Sequence, residues 1–185
     1  YPGMKDFKKF GPFAYTAKLR NGLFRNTGAC LSPQNAFYNS IGMETLGLRM
    51  ERVCDNAKTL AQFFATEYSD IEVNYPGLAG SKWHNIATEQ FGDKFGGIIT
   101  IRTGNKKRAF GIIDALKLPL IVSNIGDTKT LVIHPESTLN VHSTQEEKET
   151  AGVFDDLIRI SVGIEDIDDL IDDFKQAIES VKDVY

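Results

Sequence analysis

Cysteine is nearly absent from this chain: Cys30 and Cys54 are the only two among 185 residues. They form no CxxC pair and no metal-type grouping with histidine. Both sit among apolar residues, which predicts two small buried thiols rather than a disulfide and points to a reducing, cytoplasmic setting. Long apolar runs are missing too. No stretch approaches the ~20 residues needed to span a bilayer, and no signal peptide opens the chain, so no membrane partner is expected. An excess of positive charge is also lacking. The 21 Lys and Arg residues are outnumbered by 25 Asp and Glu, and the formal net charge of -4 leaves no footprint for nucleic acid. The common phosphate-binding frameworks do not occur: there is no GxGxxG and no GxxxxGK[ST], and the Lys-Thr pair in 126–130 (GDTKT) lacks the preceding glycines. There is no GxSxG elbow. His84, His134 and His142 have no metal-ligand spacing and read as surface or packing residues.

What is present suits one core with alternating helices and strands. Hydrophobic content of 42% and charged content of 25% are ordinary for a globular protein. Residues 1–11 carry no period, and 12–24 have a helical pattern. Ser32 followed by Pro33 marks a helix start. Leu46, Met50, Val53, Ala57, Leu60, Ala61 and Phe64 then recur at three and four, a single apolar stripe. Gly42 and Gly47 weaken its beginning, so a short helix running into a longer one is expected. Beyond Asp70 the pattern predicts strands at 71–74, 97–102, 120–125, 130–133 and 157–162. Helices are predicted at 81–91 and 106–118, and Tyr75-Pro76-Gly77 reads as a turn. This alternation means α/β layering with helices on one face of a sheet.

The last helix is the clearest element. Ile167, Leu170, Ile171, Phe174, Ala177, Ile178 and Val181 make one apolar face. Asp166, Asp168 and Asp169 occupy its first turn, and Lys175 and Lys182 lie towards its end. That order suits the helix dipole, so the acidic crowding at 165–173 reads as helix electrostatics rather than a calcium loop.

One residue stands out in the strand 157–162. Alternation puts Ile158, Ile160 and Val162 on one face and Leu157, Arg159 and Ser161 on the other. An arginine at mid-strand must reach water or meet an anion, and its planar fork suits a carboxylate. On these residues alone, a solvated or ion-paired arginine is the simpler reading.

Three stretches, taken together, add a resemblance. Residues 31–57 read LSPQNAFYNSIGMETLGLRMERVCDNA, 75–87 read YPGLAGSKWHNIA, and 123–163 contain SNIGDTKTLVIHPEST followed by LIRISVG. In order and spacing they resemble the cystathionine γ-synthase-like family of pyridoxal-phosphate enzymes. The Asn-Ile-Gly-Asp run before His-Pro-x-Ser-Thr is most similar to the O-acetylhomoserine sulfhydrylase branch, with methionine γ-lyase a near relative. The resemblance implies the small C-terminal domain of a fold-type I pyridoxal-phosphate transferase: a mixed sheet with helices packed on one face. Residues 1–32 would then be the end of the cofactor domain and a connecting segment, and 33–185 the substrate-binding domain.

The resemblance implies a function in sulfur amino-acid metabolism. Members of this branch eliminate acetate from an amino-acid substrate held on pyridoxal 5'-phosphate and add sulfide or a thiol, giving homocysteine or methionine. The arginine of the LxRxSxG pattern, here Arg159, binds the substrate α-carboxylate. The loop with Ser123 and Asn124 supplies further hydrogen bonds. No Ser-x-x-Lys element occurs, so the aldimine lysine is expected in a missing N-terminal cofactor domain, along with the groups that hold the cofactor. The isolated chain is expected to be inactive, and its opening on Tyr1 fits a fragment or a processed product. Tetramers built from tight dimers are the family's assembly. Leu139-Asn140 stands where Thr-His is frequent, and Arg52-Val53 where Arg-His is frequent, which bears on substrate preference. The alternatives are a fragment of a methionine γ-lyase or of a cystathionine synthase or lyase, and, from another class, a non-catalytic domain that stands alone or pairs with a separate chain.

Overall fold

The computed structural model describes residues 7–182, so the aperiodic reading of 1–6 lies outside them. The chain forms two compact units that divide between Thr45 and Leu46.

The first unit is helical. Short helices α1 (Phe7–Phe10), α2 (Ala14–Leu19) and α3 (Arg25–Thr27) are joined by a 3-10 turn over Gly11–Phe13 and a π turn over Arg20–Phe24. Gly28 ends the run at a φ of 61°, a left-handed conformation that glycine adopts without a Cβ penalty. Helix α4 (Pro33–Glu44) begins as expected: the Ser32 side chain accepts from the Asn35 N–H at 3.2 Å, and Pro33 takes the first turn. Cys30 is exposed, correcting the expectation of a buried thiol, whereas Cys54 is buried. The apolar neighbours of Cys30 in sequence lie in a segment that is exposed throughout.

The second unit opens on α5 (Leu46–Glu67), followed by β1 (Glu72–Asn74), α6 (His84–Phe91), β2 (Ile98–Arg102) and α7 (Lys106–Ala115). Then come β3 (Leu120–Ile121), β4 (Leu131–Ile133), α8 (Gln145–Thr150), β5 (Leu157–Ser161) and α9 (Ile167–Ser180). The sheet order is β1-β2-β5-β4-β3, with β3 and β4 parallel and the other pairs antiparallel. This is the mixed sheet that the resemblance implied.

Its core lies between one sheet face and helices α5, α7 and α9. Ile99, Ile101, Ile158, Ile160 and Val162 join Leu60, Phe64, Ile112, Leu170, Phe174 and Ile178 in one cluster. Phe64 and Phe174 meet edge to face at 5.2 Å, an aromatic pairing that adds to area burial. Val53, Ala57, Leu60, Ala61 and Phe64 of the α5 stripe are buried, but Leu46 and Met50 at its start are exposed. On α9, Ile167 and Ile171 are only partly buried. Asp166 caps this helix by accepting from the Asp168 N–H at 3.0 Å.

Three boundaries differ from the periodic reading. The predicted strand 120–125 stops at Ile121, and 121–129 are exposed. The predicted helix 106–118 stops at Ala115, because the Asp173 carboxylate accepts from the N–H groups of Lys117 and Leu118 at 2.9–3.2 Å. Pro119 follows and disfavours helix at the residue before it. Helix 81–91 begins at His84, after turns in which Ser81 donates to Leu78 and His84 donates to Ser81. Helix α8, with its capping box between Thr144 and Glu147, was not anticipated.

Candidate functional site

Arg159 occupies the middle of β5, between Thr100 on β2 and Ile133 on β4. Its two sequence neighbours, Ile158 and Ile160, are fully buried in the core. Strand alternation therefore turns Arg159 to the opposite face of the sheet, as read from sequence. Its Nη2 donates to the carbonyl oxygen of Ser123 at 2.6 Å and lies 3.5 Å from that of Asn124. Its Nε is shut off from solvent and has no hydrogen-bond partner among the described residues.

Arg159 differs electrostatically from the ion-paired arginines of the second unit. Arg52, Arg102 and Arg108 each form ion pairs: with Asp166, with Asp156 and Glu72, and with Asp70. The hydrogen bond that Arg102 donates to the Asp156 carboxylate raises the arginine's pKa above its ordinary value. Arg159 makes no ion pair among the described residues, and loss of hydration pushes its pKa down. A desolvated cation with a free Nε is suited to receive an anion, and two carbonyl oxygens orient its fork.

Ser123 and Asn124 come to this place through loop 122–130, exposed as far as Lys129. They supply main-chain carbonyls, which accept from the guanidinium. In this arrangement those oxygens orient the arginine; a carboxylate would need donors. Next to Arg159 the same sheet face continues as a polar row, with the Asn74 side-chain amide donating to Thr100 Oγ1 at 3.2 Å. Strands β1 and β2 border a cleft of about 1030 Å³ whose walls include Asn74, Thr100, Arg102, Trp83 and Phe154.

The residues that hold this loop escaped the reading from sequence. Buried Thr130 is joined to Glu165 and Gly163, and Ser161 of the LxRxSxG pattern accepts from the Gly126 N–H at 3.4 Å. The Ser-x-Gly spacing after the arginine was the available signal. Buried His134 is held by Ser137 Oγ at 2.9 Å and the Asp155 carbonyl at 2.8 Å, while the ring of His84 meets the Pro76 carbonyl at 2.9 Å. Among the described residues no three His, Cys, Asp or Glu side chains are grouped to hold a metal ion, and no helix is long and apolar enough to cross a membrane.

A family model described as "Cys/Met metabolism PLP-dependent enzyme" matches residues 9–179. The chain belongs to this family. Among curated members it is 39% identical over 180 residues to a homocysteine synthase of Schizosaccharomyces pombe, covering 97% of this chain and 42% of that protein. It is 39% identical over 183 residues to an O-acetyl-L-homoserine sulfhydrylase of Corynebacterium glutamicum, covering 98% and 41%. To an L-methionine gamma-lyase of Fusobacterium nucleatum it is 40% identical over 161 residues, covering 86% and 40%. A solved structure from Campylobacter jejuni, assigned as an O-acetylhomoserine (thiol)-lyase and carrying a pyridoxyl-lysine monophosphate, superposes with a TM-score of 0.83. It is 39% identical, and the match covers 91% of this chain and 40% of that one. An O-acetylhomoserine sulfhydrylase of Wolinella succinogenes superposes with a TM-score of 0.72 at 36% identity, covering 93% and 46%. The chain thus spans about two fifths of the length of the curated relatives it matches.

Proposed function

We propose that this chain is the substrate-carboxylate part of a pyridoxal-phosphate sulfhydrylase that makes homocysteine from O-acetylhomoserine and sulfide, or methionine when a thiol replaces sulfide. The observation that carries the reading is Arg159: a partly desolvated guanidinium, its Nε unpartnered, with no carboxylate partner among the described residues, on the sheet face away from the helices. There it captures the substrate α-carboxylate through charge-assisted bonds. The exposed Ser123–Asn124 segment closes one side of the subsite, its carbonyls aiming the fork.

The Arg159 cluster does not itself fit the cofactor. The carbonyl oxygens of Ser123 and Asn124, at 2.6 and 3.5 Å from Nη2, would repel a phosphate dianion placed over the same edge. The lysine amines with described ion pairs, Lys94, Lys106 and Lys148, are bound to Asp55 and Glu136. On this reading the aldimine lysine and the phosphate-binding groups come from an N-terminal cofactor domain, in keeping with the lack of a Ser-x-x-Lys element among these 185 residues. Residues 33–185 act as the substrate-binding domain, and 1–32 as the end of the cofactor domain and its connection. The assembled enzyme is a cytoplasmic homo-oligomer, a tetramer of the kind its family forms.

The second reading is a γ-lyase, favoured by the 40% identity to the Fusobacterium enzyme. The deciding experiment assays the longest natural product that contains this chain. Sulfide-dependent homocysteine formation from O-acetylhomoserine is the expected result, with kcat/KM falling at least about tenfold in Arg159→Lys, which keeps the charge and loses the fork. Cleavage of methionine without replacement by sulfide would establish the lyase instead. Unchanged kinetics in Arg159→Lys would remove the arginine from the site.

A further inference from the structure

Loop 122–130 poses a physical problem. It leaves the sheet at Ile121, its residues 122–129 are exposed, and yet it must hold two carbonyl oxygens against Arg159. What restrains it is a clasp at its far end. Both carboxylate oxygens of Glu165 are taken by one residue, Thr130: the Thr130 N–H donates to Oε1 at 2.5 Å and its hydroxyl to Oε2 at 2.9 Å. The same hydroxyl accepts from the Gly163 N–H at 2.9 Å. Ile164 N–H donates to the Thr128 carbonyl at 2.9 Å.

The clasp is also fitted sterically and anchored from behind. A side chain at position 163 would collide with the backbone of Thr128 and Lys129, so only glycine lets loop and strand exit approach so closely. Asn56, buried in α5, donates its amide to the carbonyls of Gly163 at 3.1 Å and Glu165 at 2.9 Å. The segment 161–165 is thereby a splint between a core helix and the loop. Glu165 lies just before the Asp166 cap of α9, where an acidic residue would ordinarily serve the helix dipole. Here its carboxylate is turned to Thr130.

We propose that Glu165 is a positioning residue: through Thr130 it sets the loop that carries Ser123 and Asn124 to Arg159, and so shapes the carboxylate subsite. This rests on the reading of Arg159 as the carboxylate ligand. Ser161, Gly163 and Glu165 then act together, the first two admitting the loop and the third holding it.

The test uses the 185-residue chain, labelled with ¹⁵N, and acetate as the probe. In Glu165→Ala, exchange of the Thr130 and Gly163 amides should quicken by about tenfold or more, as expected when a charged hydrogen bond is lost. Amides of Ile99, Ile101 and Ile158 should keep their protection. Residues 123–126 should become more mobile, the Arg159 Nε resonance should shift, and acetate should bind Arg159 about tenfold more weakly. Glu165→Gln, which keeps one oxygen for the Thr130 N–H, should recover part of each effect. If Glu165→Ala unfolds the chain, Thr130→Val serves instead: it puts a methyl group in place of the hydroxyl that joins Glu165 and Gly163, and should loosen residues 123–126 in the same way. Unaltered mobility at 123–126 and an unmoved Arg159 Nε in a folded variant would overturn the proposal, whatever happens to melting temperature. If acetate leaves Arg159 of the unsubstituted chain unmoved, the carboxylate reading falls with the subsite claim. The mobility comparison still decides whether Glu165 sets the loop.

Discussion

The Nη2 of Arg159 lies 2.6 Å from the carbonyl oxygen of Ser123, 36 residues earlier in the chain. This one bond joins the middle strand of the sheet to an exposed loop. It satisfies part of a guanidinium whose Nε has no partner among the described residues.

Removing that cation should therefore cost little stability. Arg159→Leu in the 185-residue chain is expected to leave unfolding free energy unchanged or to raise it by about 1 kcal/mol, because a desolvated charge without a carboxylate partner is lost. Urea denaturation measures this. A loss above about 1 kcal/mol would show that the guanidinium supports the core.

Leu170 is fully buried between α9 and the sheet. Leu170→Ala removes apolar contacts and leaves a cavity, so a loss of ~2–5 kcal/mol is expected in the same denaturation experiment. A change under half of about 1 kcal/mol would mean that this face of α9 is not core.

Asp173 is buried on α9 and its carboxylate accepts from Lys117 N–H, Leu118 N–H and the Gln176 amide. Asp173→Ala leaves main-chain donors at the end of α7 without their acceptor, at a cost of about 1–3 kcal/mol. Hydrogen exchange should quicken at Lys117 and Leu118 in particular. Asp173→Asn, which retains one acceptor oxygen, should fall between the two.

Glu136 receives Lys106 at 2.8 Å and Lys148 at 2.6 Å, tying the first turn of α7 and the end of α8 to one carboxylate. These two ammonium groups hold its pKa at about 2, below the ordinary value of 4.5. A depressed carboxylate pKa contributes stability that is fully present above pH 4.5 and is lost as pH falls towards about 2. Melting temperature followed across that window should drop less steeply in Glu136→Gln than in the unsubstituted chain. Parallel curves would show that the bridge contributes nothing.

Much of the fold could be read locally. The α9 face of Leu170, Phe174, Ala177 and Ile178, the Ser32-Pro33 start of α4, and the inward set Ile158, Ile160 and Val162 all appear where periodicity and capping place them. The strand at 120–125 was misjudged because four apolar residues among Leu120, Ile121, Val122 and Ile125 match a strand whether or not a neighbour pairs with them. Beyond Ile121 the carbonyls of Ser123 and Asn124 turn to Arg159 instead of a ladder. The helix at 106–118 was overrun because its stop, the Asp173 carboxylate, comes from 55 residues or more away.

By itself the sequence determined most of the residues that face the core, though not the exposure of Leu46 and Met50, and that Arg159 faces away from it. Helical and strand periods and cap chemistry operate over a few neighbouring residues, so they are visible in a string. Only the tertiary structure decided which groups meet that arginine and what holds them there. Ser123 reaches Arg159 by a main-chain carbonyl, a group every residue carries, and Glu165 reaches Thr130 across 35 residues. Neither partner is marked by its side-chain pattern. The pairing of β4 with β5 brings them within hydrogen-bonding distance.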